Sequence, residues 1–271
     1  YFAKEFPKRF FQMGISEADM MGTAAGLASC GKLVFASTFA IFASGRAWEQ
    51  IRNTIAYSNF NVKIVATHGG ISVGEDGSSH QSIEDLALMR VIPNMVVIAP
   101  CDARETTEAA FRIAEHSGPV YMRLMRPDVP IVHSRPIDFS IGKSICLRDG
   151  GGVTLIATGT MVFPALQAAE MLAENGIEAR VVDMHTIKPL DEEAVLRAAK
   201  ETKGIVTCEE HTILGGLGGA VSEVVSQTSP CPVKMVGIRD RFGESGSPQE
   251  LFKEFGLTSR EIVRGAVEIL S

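Results

Sequence analysis

Val62-Lys63-Ile64-Val65-Ala66-Thr67-His68-Gly69-Gly70-Ile71-Ser72-Val73-Gly74-Glu75-Asp76-Gly77-Ser78-Ser79-His80-Gln81 is the stretch that decides how this 271-residue chain is read. Residues 62–66 form a short, mostly apolar run of the kind a strand buried on both faces requires. From Thr67 the pattern breaks. Four glycines, two histidines and two acids fill residues 67–81, with almost nothing there to build a core. A helix-like run follows from about Ile83 to Arg90. A long loop with titratable side chains at the carboxyl end of a buried strand is where α/β proteins place ligands. The stretch therefore reads as a substrate loop carried by a parallel sheet.

Working outward, Tyr1 to Phe11 reads as a loop running into a short strand, Arg9 to Met13, without the opening strand an α/β domain normally has. Either the natural chain begins earlier or the first strand is lost. From Ile15 the pattern is helical, with Ser16 as cap, Glu17 and Asp19 in the first turn and Gly31 at the end. Small residues dominate that helix and let another backbone come close. Leu33 to Ala36 reads as a strand and Thr38 to about Tyr57 as a long helix. Downstream come a strand at Met95–Ala99, a helix from Ala103 to about Glu115 and a strand at Pro119–Leu124. Pro127, Pro130 and Pro136 mark a linker over 126–140.

The alternation then resumes: strand 153–157, helix 161–174, strand 178–183, helix 191–201, strand 204–208. A glycine-rich turn opens a helix over 216–228, and strand 232–236 and two helices follow. Apolar runs alternating with helices mean βα units and parallel sheets. The expected fold is α/β, with two doubly wound domains over residues 1–130 and 131–271.

Composition narrows the partners. The net charge of −6, with Lys and Arg scattered, gives no reason to expect nucleic acid or an anionic membrane. No apolar stretch approaches the roughly 20 residues of a membrane span, and Tyr1–Phe10 is unlike a signal peptide. Five widely spaced cysteines, with no Cys-x-x-Cys, argue against a disulfide framework or a standard zinc motif. Reduced, buried thiols in a cytoplasmic protein are the expectation.

Among candidate chemical groups, His68 and His80 bracket the loop with Glu75 and Asp76 between them. Histidine suits proton transfer near neutral pH, and acids beside it orient hydroxyl-bearing substrates. The plain alternative is a surface loop turned by its glycines; metal binding is disfavoured because the spacing fits no standard site. Glu17 by position alone is a first-turn acid serving the helix dipole. Phe39 and Phe42, at i and i+3, read as core or as an apolar wall for a flat ring. Arg126 is placed to meet a carboxylate or phosphate, or to bridge to the second domain. Residues 214–219, Leu-Gly-Gly-Leu-Gly-Gly, open a helix either for close packing or for an anion at its amino end.

Taken together these motifs resemble transketolase. Gly14-Ile15-Ser16-Glu17, Ala25-Gly26-Leu27, Ser37-Thr38-Phe39, the Gly74–Gln81 loop and Ile92-Pro93-Asn94-Met95 occur in the order seen in that family. Thr186-Ile187-Lys188-Pro189-Leu190-Asp191 and Glu209-Glu210-His211 are similar to its carboxyl-terminal domain. The resemblance spans essentially the whole chain. It implies a thiamine-diphosphate pyrimidine-binding domain followed by a transketolase carboxyl-terminal domain, the second polypeptide of a split enzyme.

The resemblance implies the following roles. Glu17 bonds a ring nitrogen of the aminopyrimidine and promotes the tautomer that deprotonates the thiazolium carbon, which then attacks the ketose carbonyl; Glu17 and His80 are the catalytic candidates. Phe39 and Phe42 pack on the pyrimidine, while Gly45 stands where a third aromatic is common. Asp76 and His80 contact sugar hydroxyls, and His68 and Arg126 the sugar phosphate. Ser78 replaces a frequent proline. Gly-Asp-Gly with a downstream asparagine, which holds the diphosphate's Mg or Ca, does not occur, so a partner amino-terminal subunit is expected to supply it, in a heterotetramer.

The implied reaction moves a two-carbon ketol unit between sugar phosphates. A 1-deoxyxylulose-5-phosphate synthase-like subunit is the nearest alternative, though that family usually has Asp in place of His68. A 2-oxoacid dehydrogenase β-like subunit lacks the Gly-Glu-Asp-Gly-x-x-His loop. A non-catalytic scaffold sits poorly with retention of Glu17, both histidines, Asp76 and Arg126.

Overall fold

Four apolar runs of the first half, Val34–Phe39 (β1), Val62–Thr67 (β2), Val96–Ile98 (β3) and Val120–Arg123 (β4), pair in parallel in the order β1-β2-β4-β3. The computed structural model describes residues 1–134 and 136–271. Two short amino-terminal turns, Phe2–Glu5 (α1) and Pro7–Arg9, precede Glu17–Ser29 (α2). Helix α2 buries Met21, Ala24, Ala25 and Ala28, spaced i, i+3, i+4, i+7, against the sheet. Gly31, at φ +78, follows it in the left-handed conformation that suits glycine at a helix end. Asp85–Arg90 (α3) and Ala103–Glu115 (α4) complete the first unit, α4 being capped by the Asp102 carboxylate on Glu105 N–H.

The second sheet has the order β10-β9-β6-β7-β5. Its strands are Ile145–Arg148 (β5), Val153–Ala157 (β6), Ala179–Asp183 (β7), Ile205–Thr212 (β9) and Val233–Ile238 (β10). All pairings are parallel except β5 on β7. Helices Val162–Ala173 (α5), Glu192–Glu201 (α6), Leu217–Thr228 (α7), Pro248–Glu254 (α8) and Ser259–Leu270 (α9) cover it. Thr186–Lys188 (β8) leaves this unit and pairs antiparallel with β3, closing the first sheet's edge. The largest apolar cluster contains Ile64 and Met89 from one sheet's side and Ile156, Val182 and Leu217 from the other, so the two share a core. No helix among the described residues is long and apolar enough to cross a membrane.

Several local expectations are corrected. Residues 9–13 are not a strand, since no neighbouring strand pairs with them, and Phe10 and Phe11 are exposed. Thr38 and Phe39 belong to β1, in register with Ala66 and Thr67, rather than opening the next helix. That helix is π-wound over Phe42–Arg46 and Gln50–Ala56, as the Ala47 N–H to Phe42 carbonyl bond of 3.2 Å shows. Single wide turns of this kind recur at functional sites. All five cysteines are free, but only Cys101 and Cys208 are buried, and Cys30 and Cys146 are exposed. Strands β5 and β8 were not expected; at four and three residues they carry too little pattern to stand out.

Candidate active site

The carboxyl ends of β1 and β2 meet at one rim, and the candidate residues gather there. Phe39 ends β1 and His68 follows β2; their rings stack at 3.8 Å between centroids and 14° between planes. Phe42, one turn on, lies parallel to Phe39 at 6.0 Å, and His80 meets Phe42 edge-on at 5.5 Å. His68 sits at φ +60, a backbone conformation uncommon for a side-chain-bearing residue and typical of strained functional positions. Its Nδ1 lies 2.9 Å from Thr67 Oγ1, and Ser79 Oγ lies 3.0 Å from His80 Nδ1. Burial holds the His68 imidazole below its ordinary range, the Arg126 charge adds to this, and Asp76 opposes it. The ring is therefore neutral near pH 7.

Glu17 is far from a routine first-turn acid. Its side chain is 6% exposed, and its carboxylate accepts from Arg46 at 2.8 Å and lies 3.4 Å from the Thr38 hydroxyl. Burial opposes its ionisation, but Arg46, the backbone and Thr38 outweigh that and hold the carboxyl below the usual range. The Arg46 guanidinium also lies over Phe42 at 4.5 Å, which ties Glu17 to the aromatic rim. Arg46 escaped sequence reading. It carries no local signal, since Phe39 ends a strand and Phe42–Arg46 is π-wound, so no regular helical spacing links them.

The loop itself is compact. Ile71–Asp76 forms tight turns with Gly74 at φ +82, and Ile71 and Val73 are fully buried. Ile71 joins the apolar cluster of the second sheet, so the loop does contribute to a core. Gln81 donates to the carbonyls of Ile71 (3.2 Å), Gly74 (3.3 Å) and Glu244 (2.8 Å), which fastens the loop to the second unit. Asp76 and Arg126, both exposed, pair at 3.2 Å, and Arg126 also donates to the Val73 carbonyl at 2.6 Å. Arg126 thus meets the loop rather than the second domain. An exposed pair of this kind is worth little and exchanges readily for a stronger anion.

Beneath the rim lies a buried polar floor. Arg123, at the end of β4, contacts Asp85 (3.3 Å) and donates to the carbonyls of Ser82 (3.2 Å) and Glu210 (2.8 Å). Tyr121 donates to Asp85 at 2.7 Å, and the Glu210 carboxylate accepts from Ser72 N–H and Thr160 Oγ1, each at 2.6 Å. A Cβ at Gly69 would strike Arg123, and one at Gly70, which sits at φ +83, would strike the Glu210 carboxylate. Glu209 accepts from Leu217 N–H (2.7 Å) and Gly218 N–H (2.8 Å). The glycine-rich helix start is therefore met by an acidic side chain of its own chain, Glu209.

Comparison with known proteins agrees across the chain. Residues 1–132 match the family model "Transketolase, pyrimidine binding domain", and residues 142–262 match "Transketolase, C-terminal domain". A putative transketolase C-terminal section of Methanocaldococcus jannaschii is 53% identical over 98% of this chain and 84% of its own length. A 6-deoxy-6-sulfo-D-fructose transketolase subunit from a Clostridium species is 46% identical, covering 99% of this chain and 83% of the relative. A solved split-gene transketolase in an inactive β4 tetramer superposes with a TM-score of 0.94 at 53% identity, over 99% of this chain and 86% of that one.

Proposed function

The chain belongs to the transketolase family, and from this membership we propose that it is the carboxyl-terminal subunit of a two-polypeptide transketolase dependent on thiamine diphosphate. Its pyrimidine-binding domain occupies residues 1–130 and its carboxyl-terminal domain residues 131–271. The observation that carries the reading is the rim: a buried ionised carboxylate, Glu17, linked through Arg46 to the parallel faces of Phe39 and Phe42, with His68 and His80 alongside. A buried acid beside aromatic walls suits a flat, nitrogen-bearing ring such as the pyrimidine.

When bound, the cofactor would supply nucleophilic-carbon chemistry toward a ketose carbonyl. Glu17 would bond a ring nitrogen and set the ring's protonation, while Phe39 and Phe42 would hold the ring flat. His80 and Asp76 take sugar hydroxyls, His80 also serving in proton transfer. His68, neutral, and Arg126 take the sugar phosphate. Arg126 is released from an exposed pair with Asp76, so a doubly charged phosphate can compete for it.

The relatives described as a transketolase C-terminal section and a split-gene transketolase support assigning the diphosphate and its Mg or Ca to an amino-terminal partner subunit, with the working site between chains. Two copies of each would give a heterotetramer. The relative named for sulfofructose makes the ketose class broader than pentose phosphates alone.

The test is reconstitution. The purified chain with thiamine diphosphate, Mg and a ketose phosphate–aldose phosphate pair should show no ketol transfer, and adding the amino-terminal subunit should start it. Robust transfer by the chain alone, or none from a stably formed complex with any ketose phosphate or sulfo-ketose tried, would overturn the proposal.

A further inference from the structure

Away from the rim, three segments converge on four side chains. Cys101 and Glu105 stand at the start of α4, His133 lies on the connection after β4, and Asp183 ends β7. Their exposures are 2%, 0%, 7% and 0%, so the cluster is closed to solvent. His133 Nε2 is 3.0 Å and Cys101 Sγ is 3.3 Å from Asp183 Oδ2, and Glu105 Oε1 is 3.7 Å from His133 Nε2. The four donor atoms all lie within 4.8 Å of one another.

Two features ask for something more than packing. Among the described residues, Glu105 Oε1 and Asp183 Oδ1 are buried without a hydrogen-bond partner, although Glu105 Oε2 is met by Cys101 N–H at 2.7 Å. Among the described residues, the acids Asp102, Glu105 and Asp183 gather around His133. Two carboxyl groups buried side by side cost several kcal/mol if both ionise, unless a cation neutralises them.

The donor set favours a cation. Sulfur, imidazole nitrogen and carboxylate oxygens are zinc's ligands, and donors bound tetrahedrally at zinc's bond lengths stand about 3.3–3.8 Å apart. The separations of 3.0, 3.3 and 3.7 Å lie near that range, and the rest are within 4.8 Å. The ligands are also braced from outside. Asp102 accepts from the backbone N–H groups of Val132 (2.8 Å) and His133 (2.9 Å) and from Glu105 N–H (2.8 Å), and Arg104 donates to the His133 carbonyl (3.0 Å). Outer groups that fix ligand orientation in this way are characteristic of metal sites.

We propose that Cys101, Glu105, His133 and Asp183 form a closed, structural site for a thiophilic divalent cation, zinc by chemistry, that pins the interdomain connection to both sheets. With four protein ligands there is no open position for substrate, so the ion fastens rather than catalyses.

The test uses the full chain with exposed Cys30 and Cys146 changed to serine, which removes competing surface thiols. After zinc loading and gel filtration, elemental analysis should find about one zinc per chain. A strong chelator should then lower the thermal midpoint. Cobalt substitution should give a thiolate-to-cobalt absorption band, lost in Cys101→Ser. His133→Gln should keep the circular dichroism spectrum and lower zinc affinity at least about tenfold. Should the variants fail to fold, zinc content and the cobalt band of the parent chain decide. No retained zinc and no cobalt band would mean a carboxyl pair sharing a proton only, and would overturn the proposal.

Discussion

The rim and the floor of the candidate site are built from similar residue types in opposite ways. At the rim, His68, Phe39, Phe42 and His80 are only partly buried and touch through ring faces and edges, and Arg126 and Asp76 are exposed. In the floor, Arg123, Asp85, Tyr121 and Glu210 are buried and bind one another and the backbone across both sheets. Asp85 and Glu210 raise the Arg123 pKa despite burial, which marks a cation held by its neighbours. The difference teaches that the chain fixes its two sheets internally but leaves the working surface for something else to complete.

The largest expected effect therefore lies in the floor. Arg123→Ala strands Asp85 and Glu210 without their cation, and breaking a buried pair by removing one partner costs about 3–5 kcal/mol. Chemical denaturation measures it; a loss under about 1 kcal/mol would mean the floor does not hold the sheets.

Glu17→Ala is the complementary case. Its partner Arg46 is 49% exposed and regains water easily, so the folded state should change little. Turnover of the reconstituted enzyme should nevertheless fall at least about a hundredfold, roughly 2.7 kcal/mol of activation energy. Near-parental rates would remove Glu17 from the chemistry, and a large stability loss would move it from rim to floor.

The smallest effect sharpens the contrast at a single ring. The positive charge of Arg126 disfavours the His68 imidazolium and Asp76 favours it. In Arg126→Ala the His68 titration midpoint should rise, and in Asp76→Asn it should fall further. NMR of the ring protons reads both. A midpoint indifferent to both changes would mean His68 does not sense the Asp76–Arg126 pair.

Much of this architecture is legible without coordinates, for physical reasons that also set the limit. Strands such as Val153–Ala157 are buried on both faces and therefore mostly apolar, and helix α4 begins at Ala103, directly after its cap Asp102. The loop candidates are neighbours in sequence, so one glance collects them. The Glu17–Arg46 contact joins residues 29 apart, and the Ser72–Glu210 contact joins residues 138 apart. Neither has a local signature. Ile71 and Val73 were misread because glycines on either side hide a buried pair inside a loop. Cys101, Glu105, His133 and Asp183 look ordinary one at a time, and only the fold makes them neighbours.

Strand β8 carries a consequence for modularity. It belongs by sequence to the second unit, yet Val97 and Ile98 of β3 pair with it, Ala99 N–H reaches the His185 carbonyl at 2.8 Å, and Lys188 binds the Arg90 carbonyl at 2.9 Å. A recombination point in the proline-rich connection, attractive on paper, would strip the first sheet of its border and leave β3 as a bare, adhesive edge. The two halves are therefore poor building blocks for shuffling: whoever transplants one inherits a debt of three residues owed to the other.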